Sequence, residues 1–140
     1  MKYIVAVVLL MSVNAAHASD WPPASDYIND SQDCAASGDP GNCTYTKTTW
    51  PKEYENATSG KYQGQRNVSF CLSTGCNGAI RQNKVLGCAW RFVIVESGHL
   101  SADFTDATNL KHYCGRENVD KTERAAAEAQ ARRILKMLGQ

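Results

Sequence analysis

Six cysteines, two histidines beyond the first eighteen residues and a few hydroxyls and carboxylates are the groups in this chain that could do chemistry. The cysteines are Cys34, Cys43, Cys71, Cys76, Cys88 and Cys114, and no two have the C-x-x-C spacing of metal ribbons and dithiol redox centres. His112 and Cys114 fall short of the tetrahedral ligand set that zinc requires, so no metal or cofactor is expected. Ser101, His99, His112, Asp103 and Asp106 hold the ingredients of a nucleophile, a base and an orienting acid. The strings that build such sites, G-x-S-x-G, S-x-x-K, H-E-x-x-H and G-x-x-x-x-G-K, are all absent. Asp103 and Asp106 are better explained as helix caps, and the chain reads as a non-enzyme.

The start of the chain decides what the cysteines do. Lys2, an apolar run from Tyr3 to Val13 and the small-residue site Ala16-His17-Ala18 read as a secretory signal peptide, residues 1–18, cleaved after Ala18. The run is too short for a stable membrane anchor, and nothing later is apolar enough to insert after cleavage. The cysteines would then reach an oxidising compartment, the periplasm or the exterior, where disulfides are the default. Without Lys2 the 15 basic residues fall to 14, equal to the 14 acidic ones. A neutral mature chain argues against nucleic acid and against anionic lipid as the main partner.

The elements that would position these residues follow from punctuation. Residues 19–49 are polar and rich in turn formers, with no helical period, and read as an irregular arm pinned by Cys34 and Cys43. Residues 50–140 then form a helical domain. Pro51 would open a first helix ending before Gly60, and Tyr62–Thr74 would form a second, stopped by Gly75. A loop with Asn77-Gly78 leads to a third, Lys84 to Ser97, although the β-branched run within residues 91–95 is equally suited to a strand. A fourth would start at Thr105 or Asp106 and end at Cys114. Asp120 with Glu123 forms a capping box for the last helix, whose stripe is Ala127, Ala131, Ile134, Leu135 and Leu138. Local spacing then favours the pairs Cys34–Cys43, Cys71–Cys76 and Cys88–Cys114, with Cys71–Cys88 as a rival.

Ser59-Gly60, Gln65-Arg66-Asn67-Val68, Gly75, Gly78, Asn83, Cys88-Ala89-Trp90 and Ser97-Gly98 fall in an order that resembles a Sel-one-like repeat, a branch of the tetratricopeptide superfamily. The distance from Gly60 to Gly98 is close to that family's period. The resemblance covers residues 59–115 and implies a short array of helical hairpins, with Val119–Leu138 as a capping helix and Trp90 in the aromatic core position. It also implies a binding scaffold in a bacterial periplasm, where the N-x-S/T triplets at Asn29, Asn42, Asn56 and Asn67 carry no glycan. Gly64 and Gly87 depart from the pattern, each at a cost to helix propensity of up to about 1 kcal/mol against Ala.

The resulting expectation is an exported, mainly α-helical module that binds a protein partner of unknown identity. Its contact face would comprise Tyr62, Gln65, Arg66 and Arg91, with Trp21 in the arm as a further interface residue and Trp50 beside Trp90 in the core. An inhibitor or immunity protein against a secreted toxin or wall hydrolase is the alternative, and a small hydrolase using Ser101, His99 and His112 is the third.

Overall fold

The computed structural model describes residues 20–140, so the signal-peptide reading of residues 1–18 lies outside the described residues. Five α-helices follow two short 3-10 turns, Ala24–Tyr27 and Cys34–Ala36. The helices are α1 (Pro40–Thr58), α2 (Tyr62–Thr74), α3 (Lys84–Glu96), α4 (Phe104–Tyr113) and α5 (Lys121–Met137). There is no strand among the described residues; one isolated bridge joins Ile28 to Ile80. Residues 91–95 are therefore helical: the β-branched run lies inside α3, buried through Ile94. Tertiary burial overrides a local β preference here.

The helix α3 is the centre of the molecule. It packs against α2, α4 and α5, while α1 lies on the other side of α2. Contacts between α1 and α2 pair Glu53 with Asn67 and Ala57 with Gly64, so these helices run antiparallel. At the next interface Ser73 meets Gly87 and Gln65 meets His99, again antiparallel. The two glycines that looked like weak points in their helices are the crossing points. A Cβ at Gly64 would stand 2.6 Å from the Ala57 amide nitrogen; one at Gly87 would overlap the Ser73 hydroxyl and lie 2.9 Å from its amide nitrogen. Propensity lost within a helix is recovered as close helix–helix packing.

The irregular arm differs from its sequence reading. Its last ten residues are helical: Asp39 caps α1 by accepting from the Asn42 amide, and Pro40 fills the first turn. Pro51 sits inside α1 rather than at its start, and the boundary placed before residue 50 falls within a helix. An interior proline costs about 3 kcal/mol. Burial of Cys43, Trp50, Tyr54 and Ala57 along one side of α1 opposes that cost. The preceding segment is docked rather than loose. Asn29 donates to Ala79 O at 2.9 Å, Arg81 donates to Tyr27 O at 2.8 Å, and the Lys47 ammonium caps the carbonyls of Asn29 and Gln32 at 2.8 and 2.7 Å.

Three disulfides close the fold: Cys34–Cys43, Cys71–Cys76 and Cys88–Cys114. The rival pairing of Cys71 with Cys88 is excluded. The bridges suit an oxidising environment, and no helix among the described residues is long and apolar enough to cross a membrane.

Candidate functional site

Two of the residues expected to form a contact face, Tyr62 and Arg66, meet at one buried carboxylate. Asp106 is 2% exposed and occupies the third position of α4. Its Oδ2 accepts the Tyr62 hydroxyl at 2.6 Å and the Asp103 amide at 3.2 Å. Its Oδ1 lies 3.4 Å from Arg66 Nε, an ion pair without hydrogen-bond alignment. Asp103 caps the same helix by accepting from the Thr105 amide at 2.8 Å, which holds its carboxyl below the usual carboxylate range. The capping reading of both aspartates holds. Asp106 also ties α4 to α2, a role that the sequence analysis missed and that the D-x-x-D capping signature alone does not announce.

Burial, reinforced by the bond to Asp106, pushes the Tyr62 hydroxyl up, so it donates at neutral pH. The Arg66 guanidinium lies 5.5 Å from the Tyr62 ring centroid. The His99 ring lies 5.3 Å from the Tyr62 ring, with its Nε2 in a 2.8 Å hydrogen bond to Gln65 Oε1. That bond engages His99 with a core amide. Ser101 is exposed and bonds to neither histidine among the described residues. His112 packs its ring on Tyr113, on the opposite end of α4. The histidines and Ser101 are thus not assembled into a nucleophilic triad.

The expected contact residues separate by depth. Arg66 is 30% exposed, whereas Gln65 and Arg91 are buried in the core. Arg91 stands out. It interrupts the apolar run from Cys88 to Val95, it is 3% exposed, and no hydrogen bond or ion pair reaches its guanidinium among the described residues. Its Cζ stacks 4.8 Å over the Tyr113 ring. Burial draws its proton affinity below the ordinary guanidinium value, with Tyr113 and Asp106 opposing that shift and Arg66 adding to it. It remains a cation at neutral pH. Arg66 and Arg91 both line a cleft of about 360 Å³ bordered by Gln63, Asn67, Asn109 and Tyr113.

Comparison with family models, with curated proteins and with solved structures finds no match for this chain.

Next to this cleft lie aromatic residues that the sequence did not single out. Phe70 is 46% exposed and Tyr45 is 67% exposed. They border a shallow groove of about 220 Å³ between α1 and α2. Phe70 also meets Tyr113 edge-on at 6.5 Å, which joins the groove to the arginine cleft.

Trp21 does not belong to this face. It stacks on Trp90 with ring centroids 5.9 Å apart, half-buried, at the mouth of a separate cleft of about 570 Å³ between the N-terminal segment, α3 and α5. Trp50 was expected beside Trp90. It packs instead on Tyr54 and Tyr27, with its indole N–H donating to Ala24 O at 2.9 Å. No cluster of three or more His, Cys, Asp or Glu side chains among the described residues is placed to hold a metal ion.

Proposed function

We propose that this chain is an exported, disulfide-stapled helical module of Sel-one-like type that binds another protein and performs no catalysis itself. The observation that carries the reading is the continuous face made by Tyr45, Phe70 and Arg66, with Tyr113 and Arg91 behind it. Solvent-exposed aromatics beside an arginine are the side chains that dominate binding energy at protein interfaces. The repeat reading is supported by the left-handed glycines Gly60, Gly75 and Gly98 at the helix connections and by the fully buried Trp90. The cysteine pairing supports export to an oxidising compartment.

The test is cross-linked capture with the mature chain, residues 19–140, from its native extracytoplasmic fraction, comparing wild type with Phe70→Ala and Arg66→Ala. One stoichiometric protein captured by the wild type and lost from both variants, with circular dichroism unchanged, supports this face. Equal capture by all three chains removes it. The activity of a captured enzyme, measured free and bound, distinguishes an inhibitor from a scaffold.

A further inference from the structure

Of the two cations in the cleft between α2, α3 and α4, one has no direct counter-ion among the described residues. Arg66 and Arg91 contribute two cations. The buried carboxylate of Asp106 is already engaged by Arg66, Tyr62 and the Asp103 amide. Asp103 lies within electrostatic reach of Arg66 and caps α4, and Glu53 accepts the Asn67 side-chain amide at 2.8 Å across the α1–α2 interface. Arg91 is left with a ring face at 4.8 Å and no anion within salt-bridge distance among the described residues. Its Nε is sealed from solvent and unpartnered, and the residue lines the cleft. An uncompensated buried cation is among the most costly groups a small core can hold. A fold that needed only volume at this position would be served by Met or Leu.

We propose that this cleft is a carboxylate-binding site, in which Arg91 and Arg66 grip a single acidic group presented by the protein partner. The fork of donors on a guanidinium matches the two oxygens of a carboxylate. A carboxylate brings one charge into the cleft, whereas a phosphate dianion would place two beside Asp106 and Asp103. Gln63, Asn67 and Asn109 border the opening with neutral amides able to bond the flanking backbone. This deepens the partner-binding reading and rests on it for the source of the carboxylate; the site itself is tested without any partner.

The experiment uses the oxidised mature chain, labelled with nitrogen-15, and follows the Arg91 Nε–Hε resonance by NMR. Acetate and glutarate are the probes, with chloride at equal ionic strength as the control and inorganic phosphate as the competitor chemistry. The expected result is a saturable shift with both carboxylates and none with chloride. Arg66→Gln should weaken the probe by about tenfold, the worth of one charge-assisted hydrogen bond, with the amide dispersion of the folded chain retained. A resonance that stays in place under both carboxylates overturns the site, as does phosphate that saturates it at lower concentration than either carboxylate. Two short peptides then assign the source. Binding of an amidated peptide with an internal Glu supports a side-chain carboxylate, and binding of a neutral peptide with a free C-terminus supports a chain end. Carboxylate binding with no partner captured would retain the site and reject the partner reading.

Discussion

Trp90 and Arg91 are neighbours in sequence, both are buried in α3, and they place opposite demands on the fold. Trp90 faces an apolar cleft that Trp21 covers from the N-terminal segment, and it carries no charge to compensate. Arg91 faces α2 and α4, where Tyr113 covers it and no anion meets it among the described residues. One side of the central helix meets aromatic and aliphatic carbon, and the other holds a cation without a direct counter-ion. A buried charge that breaks the pattern of its neighbours without a compensating partner is where function should be sought.

Substitutions on the two sides should separate these roles. The largest effect belongs to Trp90→Ala, which empties the stack with Trp21 and should lower unfolding stability by about 3–5 kcal/mol in urea titrations. Removing the bridge that closes α3 on α4, with Cys88→Ala and Cys114→Ala together, should lower it by about 3 kcal/mol, since the closed loop is long enough to restrict the unfolded chain. Gly87→Ala should cost about 1–3 kcal/mol, although alanine is the better helix former, because its methyl would push α2 off α3 at Ser73. A gain in stability there would refute the close-approach account. Arg91→Met should alter stability by no more than about 1 kcal/mol in either direction, because a lost cation–π contact is offset by relief of an unpaired buried charge.

The caps give a smaller effect that depends on pH. Asp39 and Asp103 both have carboxyls held below the ordinary range by amides of their own helices, Asn42 and Thr105. Their folded-state affinity for protons is depressed, so their contribution is complete above the unfolded carboxylate value of about 3.9. It is lost as pH falls through the lower folded-state values. Asn retains the cap without titrating. Stability measured through the acid range should therefore fall less steeply in Asp39→Asn with Asp103→Asn than in wild type, and parallel curves would count against the assignment.

What the sequence made legible was local. Gly60 and Gly75 bracket α2, and the box of Asp120 with Glu123 starts α5 where it was expected. Spacing favoured the cysteine pairs that form. The helix α1 was hidden because its first half, Pro40 to Thr49, is rich in threonine and carries a single fully buried residue, Cys43. Two of those threonines satisfy their hydroxyls inside the helix: Thr48 donates to Thr44 O and Thr49 to Tyr45 O. No local rule overrides the signal of Pro51. Trp21 could not be placed because its partner lies far along the chain and α5 completes the same cleft. Arg91 was visible as a charge in an apolar run, but its depth was not, since burial of that face requires α4 to fold back through Cys114. Phe70 and Tyr45 carry no motif and emerge only when α1 and α2 are set side by side.

The central claim is that Arg91 is kept for a ligand and not for the fold. Unfolding of wild type and Arg91→Met in urea, each with and without glutarate at constant ionic strength, tests it most directly. Wild type should gain stability as glutarate rises, as any ligand specific to the native state requires. Arg91→Met should match wild type without glutarate and gain nothing from it. An Arg91→Met chain that loses as much stability as Trp90→Ala, with a wild type indifferent to glutarate, would show that the arginine is structural and contradict the account.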